Sequence, residues 1–483
     1  MKNLKKLTTL CKSLFLIVFI IKFLESLTLF GHGDALSYHI VWPKIVLNFS
    51  LSDMLNEFFS FYLAGYFDAI YFIPQLIFGA GSMPAHIIGQ NIHFLFSLGF
   101  GSYLMLKSFG KNYWGYLAAL SILTIAKGTD FFLYAKNDGA LAMFCLLAYL
   151  IVDEKIKIKN KTYRAILVGL LFGFIPGIKL TGFFALIPLG IYYLYKSRHN
   201  LKKFSISFVV ALIVLAPIII LKQLKLDGAI FYPALLNTFP GKLDPIIINS
   251  LNNFVQTPLT SKTLGMNFQL FFLAKFFLIG LIPLAILQWK KEKEISPTLL
   301  ISLSYFLLYL VFNGGISEPR FLFPCFFLNI YYFFEQISKI NIKSKKILFL
   351  LPLLVLADSK LDKSIMRMKR LSWYAEDRPV YNHLEKTRIW KYIKNPTGKR
   401  SYILSDHFPQ LYYADKGLIL EHIYTTPRAV FFNDCLNPND INFFSYFIFL
   451  RKYPNNPCYQ KIIESSLFLG HVQGFDLYQR KNQ

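Results

Sequence analysis

Residues 31–61 read GHGDALSYHIVWPKIVLNFSLSDMLNEFFSF and directly follow the first long apolar segment, Leu10 to Phe30. In this stretch a carboxylate, a phenol and an indole stand four residues apart, at Asp34, Tyr38 and Trp42. If the stretch is helical, the three side chains share one face. The spacing predicts either a polar site beside a membrane or an amphipathic helix at the membrane surface, in which Tyr and Trp are interfacial residues.

The composition indicates a membrane protein. The chain has 483 residues, 54% of them hydrophobic, and a formal net charge of +25. It contains about ten apolar runs that can cross a bilayer, which predicts a polytopic α-helical membrane protein. The basic charge does not indicate nucleic acid as a partner, because the lysines cluster between the apolar runs, as the positive-inside rule requires.

The charged loops also predict the orientation of the chain. Lysines at positions 2, 5 and 6 place the N-terminus in the cytoplasm, and Leu10 to Phe30 is interpreted as an uncleaved first span. Residues 31–84 then form the first extracytoplasmic loop. Continuing this assignment gives about eleven transmembrane helices, with one of them predicted from Asn267 to Trp289.

The segment from Arg164 to Tyr195 is ambiguous. It has the length of one long helix or of two short helices that break at Lys179. One helix would place Lys196 and Arg198 outside, whereas two helices keep them inside, so the charge rule favours the break.

The C-terminal region differs from the rest of the chain. Residues 1–357 form the predicted transmembrane domain, whereas residues 358–483 carry mixed charges and shorter apolar runs. We expect a small extracytoplasmic α/β domain there. The predicted elements are a helix from Val380 to Ile393 and strands at Ser401–Leu404, Gly417–Tyr424 and Phe443–Leu450. The region also holds Cys435 and Cys458, which could pair in an oxidising compartment, although their spacing leaves this open.

The ionisable and polar residues that are unusual for a membrane protein fall on one side of this topology. They are Asp34, Tyr38, His39 and Lys44 in the first loop, Lys136, Asn137 and Asp138 before the fourth span, Lys179 at the break, and Glu318 and Arg320 in a late turn. Each has a structural explanation of its own: Asn or Asp caps a helix, Lys snorkels, and Glu with Arg forms an ion pair. Their common side favours a functional site, since charges near hydrocarbon are costly.

These residues carry a resemblance to the GT-C superfamily of membrane glycosyltransferases, in particular to its protein-mannosyltransferase and aminoarabinose-transferase branch. GDALSYH follows the first span, and an acidic amphipathic segment around Asp68 leads to the second. KNDGALAMF (136–144) opens the fourth span, GIKLTG (177–182) follows it, and EPRFLFP (318–324) opens a late span. The resemblance covers the membrane region in order, and a soluble outer domain also fits.

The resemblance implies a reaction and roles for particular residues. It implies transfer of a sugar from a polyprenyl-phosphate carrier to an acceptor hydroxyl on the extracytoplasmic face, with inversion at the anomeric carbon. Asp34 matches the presumed general base. Arg320 matches the arginine that holds the lipid phosphate, with Lys179 and then Lys136 as further candidates. The remaining substrate-binding candidates are Tyr38, His39, Asp138 and Glu318.

The sequence departs from that branch at Ala35, where the branch often has Glu after Asp. This departure leaves a divalent cation open as a cofactor, and no metal ligand is assigned. The expected partners are the polyprenyl-phosphate-linked sugar, a lipid, polysaccharide or protein acceptor, and the bilayer, in the plasma membrane of a bacterium. The alternative is a non-catalytic membrane protein that binds or transports a glycolipid. The outer-face location of the polar residues and the lack of an internal repeat favour the enzyme.

Overall fold

The fold was analysed in a computed structural model of the chain. It describes residues 2–31, 34–48, 65–125, 129–226, 259–273, 275–340, 345–357, 359–374, 384–405, 411–415, 417–422, 442–450, 457–472 and 474–481. Cys435 lies outside the described residues, as does the side chain of Cys458, so their pairing stays a prediction.

Helices account for most of the described structure. The α-helices are α1 (Lys2–Ser26), α2 (Val41–Asn48), α3 (Phe72–Phe78), α4 (Met83–Phe94), α5 (Phe100–Phe109), α6 (Tyr113–Leu123), α7 (Asp138–Val152), α8 (Lys161–Ile178), α9 (Phe183–Ser197), α10 (Leu201–Leu226), α11 (Ser261–Leu273), α12 (Leu281–Glu292), α13 (Pro297–Asn313), α14 (Phe323–Ile337), α15 (Lys345–Ala357), α16 (Leu361–Met368) and α17 (Pro457–Glu464). A π-helical turn, Leu95–Gly99, joins α4 to α5 in one continuous helix.

Three of the described helices are long and apolar enough to cross a membrane: Lys5–Ser26, Lys161–Ile178 and Leu201–Leu221. Several shorter apolar helices, among them α6, α7, α13 and α15, pack with them in one bundle. The chain is therefore a multi-pass helical membrane protein. The predicted number of eleven spans remains a prediction.

The predicted break at Lys179 is confirmed. Helix α8 ends at Ile178, Lys179 has an extended backbone, and a 3₁₀ turn, Leu180–Gly182, leads into α9. The next helix, α10, packs closely along α8 because Gly169 and Gly173 are small. A Cβ atom on either glycine would come within 2.5 Å of a carbonyl oxygen of α10.

The predicted span from Asn267 to Trp289 contains a bend that the sequence did not predict. The structure has two helical segments here, Ser261–Phe272 and Phe277–Glu292, bent by 88° relative to each other. Lys275 lies at the bend, is almost fully buried, and donates a hydrogen bond of 3.1 Å to the carbonyl oxygen of Val355 in α15. A straight helix would carry this ammonium group into hydrocarbon, whereas the bend allows it to meet a backbone acceptor.

The C-terminal region contains the expected sheet. Its strands are β1 (Ser401–Ser405), β2 (Leu418–His422), β3 (Tyr446–Leu450), β4 (Ser466–Val472) and β5 (Phe475–Arg480), in the order β2-β1-β3-β5-β4. Strand β1 is parallel to β2 and β3, whereas β5 is antiparallel to β3 and β4. The three predicted strands are confirmed as β1, β2 and β3. A helix was predicted from Val380 to Ile393. The part of this range that the structure describes begins at residue 384 and contains a 3₁₀ helix, Glu385–Lys391.

A short turn of the C-terminal region, Leu411–Tyr413, packs against the first loop and the start of α4. The Tyr412 hydroxyl donates to the carbonyl oxygen of Ser82 at 2.9 Å, and the Tyr413 hydroxyl lies 2.7 Å from Nδ1 of His86. The ammonium group of Lys44 in α2 donates to carbonyl oxygens of this turn and of the residue after it. The C-terminal region therefore contacts the segment that bears Asp34.

Candidate active site

Asp34 lies between two cations at one end of the helical bundle. It directly precedes a π-helical turn, Ala35–His39, and its Oδ2 accepts a hydrogen bond of 2.8 Å from Nζ of Lys136. The same oxygen accepts a hydrogen bond from Nη1 of Arg320, which belongs to a 3₁₀ turn, Pro319–Leu322, at the start of α14. Three predicted site residues, separated by up to 286 positions in sequence, thus meet at one oxygen atom.

A second ion pair joins Asp138 and Lys179. Asp138 is the first residue of α7, and its Oδ1 accepts a hydrogen bond from Nζ of Lys179 at the break after α8. The Lys179 ammonium also lies 4.6 Å from the ring centroid of Phe321, and the guanidinium carbon of Arg320 lies 5.1 Å from the same ring. Phe321 therefore separates and orients the cations of the two ion pairs through cation–π contacts.

His39 faces a different carboxylate. Its Nδ1 lies 2.9 Å from Oδ1 of the fully buried Asp68, and Oδ2 of Asp68 accepts a hydrogen bond of 2.7 Å from the backbone N–H of Gly65. A Cβ atom at position 65 would stand 1.9 Å from the carbonyl oxygen of Ile178, so only glycine allows this close approach. The His39–Asp68 pair thus fixes the first loop beside the Lys179 break.

The two remaining candidates occupy less central positions. Glu318 has a side chain that is 43% exposed, and its Oε2 lies 3.9 Å from Nε of Arg320, which makes it an ion-pair partner at the rim. The backbone of Tyr38 lies in the π-helical turn, but its side chain is outside the described part of the structure.

The electrostatics of this group favour an anionic ligand. At the buried centre Lys136, Lys179 and Arg320 carry three positive charges, against two negative charges on Asp34 and Asp138, and the half-exposed Glu318 adds a third negative charge at the rim. Burial raises the pKa of the Asp34 carboxyl, but Lys136 and Arg320 outweigh this effect and hold the pKa well below its ordinary range. Burial lowers the pKa of Lys136 to about 8, against the opposing effect of Asp34. Without Glu318 at the rim, the buried centre of the group therefore has one positive charge in excess at neutral pH.

The same group does not fit a divalent cation. Among the described residues there is no cluster of three or more His, Cys, Asp or Glu side chains that could hold a metal ion. Oδ2 of Asp34 and Oδ1 of Asp138 are bound by cations of the protein, whereas Mg²⁺ or Ca²⁺ needs several oxygen ligands around it.

Sequence reasoning missed a second charged cluster next to this one. Lys22 and Glu25, both almost fully buried in α1, are 2.9 Å apart. Glu25 also pairs at 3.1 Å with Arg367 of α16, and Arg367 binds Asp130. Two ionisable residues inside the apolar run of the first span were the signal that pointed to buried partners.

The fold matches two groups of solved membrane-protein structures. ArnT from Cupriavidus metallidurans, bound to undecaprenyl phosphate, superposes with a TM-score of 0.61 at 11% identity, over 98% of this chain and 98% of that one. The apo form of the same protein superposes with a TM-score of 0.57 at 10% identity, over 96% of this chain and 97% of that one. A third match is the Archaeoglobus fulgidus oligosaccharyltransferase AglB, solved in complex with an inhibitory peptide and a dolichol-phosphate. It superposes with a TM-score of 0.50 at 11% identity, over 98% of this chain and 74% of that one.

No protein-family model and no curated protein sequence matches the chain. The structural superpositions show that the chain has the polytopic fold of ArnT and AglB, which is the GT-C fold that the sequence motifs predicted. At these low identities the likeness establishes the fold, and the activity is a separate question.

Proposed function

We propose that the chain is a GT-C-type glycosyltransferase that moves a sugar from a polyprenyl-phosphate carrier to an acceptor hydroxyl. The observation that carries this proposal is the position of Asp34 between Lys136 and Arg320, because it joins a proton acceptor to a site for a phosphate. Two neighbours in fold support the class of donor, since ArnT binds undecaprenyl phosphate and AglB was solved with a dolichol-phosphate.

In the proposed reaction the acceptor hydroxyl attacks the anomeric carbon. The bond from this carbon to the phosphate oxygen breaks, its electron pair stays on the phosphate, and Asp34 takes the acceptor proton. The configuration inverts in this single displacement. Arg320 offers planar, forked donors to the charge that grows on the leaving phosphate, and Lys179 and Lys136 supply further positive charge.

The ion pairs determine when Asp34 is an effective base. A carboxylate that two cations hold is a weak proton acceptor, because both cations favour its charged form. An incoming phosphate competes for Arg320 and Lys136 and so frees Asp34 at the time when the acceptor must be deprotonated. We propose that carrier binding activates the base in this way.

We propose an orientation of the chain in the membrane that follows from the charge pattern of its loops. The N-terminus is cytoplasmic, the site opens to the extracytoplasmic face of a bacterial plasma membrane, and residues 358–483 form a domain on that face. The location of Asp153 just after α7, at the end opposite to Asp138, is consistent with this arrangement, since Asp153 pairs with Lys155 and Lys196 of the basic loops.

A glycolipid-binding protein without activity is the alternative, and the strong pairing of Asp34 is the observation that favours it. Asp34→Asn separates the two functions. The enzyme should lose about 10²–10⁴-fold in transfer rate, because general base catalysis contributes that much, while the affinity for undecaprenyl phosphate is kept or increased. Unchanged transfer by the variant would remove Asp34 as the base, and wild-type protein that binds carriers of several sugars without any turnover would support the alternative.

A further inference from the structure

Two buried oxygen atoms beside the ion pairs lack a hydrogen-bond donor within the described part of the chain, namely Oδ1 of Asn137 and Oδ2 of Asp138. The two side chains are only 1% and 2% exposed. Their other polar atoms are engaged, because Nδ2 of Asn137 donates to the carbonyl oxygen of Ile178 at 3.0 Å and Oδ1 of Asp138 accepts from Lys179. A buried acceptor without a donor costs about 1–3 kcal/mol, so these atoms indicate a ligand that donates.

A third oxygen with the same property lies on the segment that Asp138 contacts. Thr181 follows Lys179 by two residues, and its Oγ1 is also buried and without a partner among the described residues. Asp138 pairs with Lys179, and the Lys179 ammonium contacts the same Phe321 ring as the guanidinium of Arg320, so the carboxylate lies near the proposed phosphate site. Asn137 and Asp138 thus contact the backbone of Ile178 and the side chain of Lys179, in the segment that leads to Thr181.

We propose that Asn137, Asp138 and Thr181 form a subsite for the hydroxyl groups of a neutral sugar on the carrier, an inference that rests on the proposed function. Sugar hydroxyls donate hydrogen bonds and would satisfy acceptor oxygens that the protein leaves without donors. Each carboxylate of the site already has a cationic partner, Asp34 in Arg320 and Asp138 in Lys179. The single negative charge of a phosphodiester balances the one excess positive charge of the buried centre, whereas a sugar that bears an ammonium group would bring a further positive charge beside Lys179 and Arg320, which repel it.

The first test measures binding of two probes, undecaprenyl phosphate and undecaprenyl phosphate-glucose, to the full-length protein in detergent. Asp138→Asn should weaken the binding of the glucose carrier at least 10-fold relative to the bare phosphate. Affinity for the bare phosphate should stay or rise, because the variant removes a negative charge beside the phosphate site. If Asp138 only anchors Lys179, both probes change by the same factor, and the proposal is overturned.

The matched control is Asp130→Asn, because Asp130 is another carboxylate that pairs with an arginine but belongs to the cluster around Arg367. It should leave the ratio of the two affinities unchanged, and a change equal to that of Asp138→Asn would overturn the proposal. Failure of the proposed function is distinguishable, because wild-type protein would then bind neither probe or would bind the glucose carrier without transferring its sugar.

Thr181→Val provides a second variant that keeps the shape of the side chain and removes the hydroxyl. It should lower the affinity for the glucose carrier about 3- to 10-fold without affecting bare undecaprenyl phosphate. Thr124→Val is its control, since the buried Thr124 hydroxyl donates to the carbonyl oxygens of Leu120 and Val355, which lie outside the proposed subsite. The preference for a neutral sugar is tested with undecaprenyl phosphate-aminoarabinose, which wild-type protein should bind at least 10-fold more weakly than the glucose carrier. Equal or tighter binding of the amino sugar overturns this part of the inference.

Discussion

Lys44 in the first loop and Ala414 in the C-terminal region are joined by a hydrogen bond of 2.6 Å from the Lys44 ammonium to the Ala414 carbonyl oxygen. The same ammonium donates to the carbonyl oxygens of Leu411 and Tyr412 at 3.0 and 2.9 Å. All three donors of a lysine are therefore used on one backbone turn. Because Lys44 follows Asp34 by ten residues, this contact connects the C-terminal region to the segment that holds the proposed base.

Removal of this contact should destabilise the protein. In Lys44→Met the carbonyl oxygens of Tyr412 and Ala414 lose this donor, whereas that of Leu411 keeps the backbone N–H of Ala414, and we expect a loss of about 1–3 kcal/mol in the free energy of unfolding. Thermal unfolding in detergent measures this loss, and limited proteolysis should cleave the C-terminal region sooner. Lys202→Met is the control, because Lys202 is exposed. Equal melting temperatures for the two variants would show that the contact does not stabilise the fold.

Arg320 should determine the affinity for the carrier phosphate. Arg320→Gln removes a charged donor, and a hydrogen bond to a charged group contributes about 1.5–3 kcal/mol, so the Kd for undecaprenyl phosphate should rise roughly 10- to 100-fold. Binding is measured by titration in detergent, with the exposed Arg198→Gln as the matched variant. An unchanged Kd in Arg320→Gln would leave Arg320 as a structural partner of Asp34.

Carrier binding should weaken as the pH rises through about 8. Burial lowers the pKa of Lys136 to about 8, so its positive charge is present at pH 7 and largely lost at pH 9. The Kd for undecaprenyl phosphate should therefore increase over this range. Asp34 does not contribute to the change, because its pKa lies well below its ordinary value and it stays ionised throughout. In Lys136→Met the dependence should be flat, and a profile identical to the wild type would assign the titration to another group.

The buried pair in α1 should respond more strongly to mutation than an exposed pair. Glu25→Gln leaves Lys22 charged and buried, and breaking such a pair costs about 3–5 kcal/mol. The double variant Lys22→Met, Glu25→Gln should recover part of this loss, because no charge is then stranded in α1. Chemical unfolding measures both losses. Glu154→Gln, at the exposed pair with Arg164, should cost less than about 1 kcal/mol, and a similar loss in all variants would contradict the argument.

Hydropathy and charge predicted the parts of the fold that follow local rules. The break at Lys179 was predicted because the lysines after it belong on the same side as those before it, and the structure has the break. The strands β1, β2 and β3 were evident from runs of β-branched and aromatic residues. The bend at Lys275 was missed, because its acceptor, the carbonyl oxygen of Val355, comes from a helix 80 residues away.

The site was predictable as a group but not in its pairings. The common side of the polar residues indicated that Asp34, Lys179 and Arg320 would be neighbours, and the structure brings Asp34 to Arg320 and Lys179 to Asp138. The sequence did not indicate that His39 would face Asp68, because the two residues lie 29 positions apart and their contact depends on how the segments pack. Partners of this kind are selected by packing between distant segments, which a one-dimensional pattern does not contain.

The link between Glu25 and Arg367 has a consequence for the order of assembly. The two residues are 342 positions apart, and ribosomes add about 5–20 residues per second, so roughly 20–70 seconds separate their synthesis. During this interval the first helix is already in the bilayer with an incomplete set of counterions. We expect a nascent chain truncated before Arg367 to be held by the insertion machinery or by quality-control proteases, and release into the lipid phase to coincide with the arrival of α16.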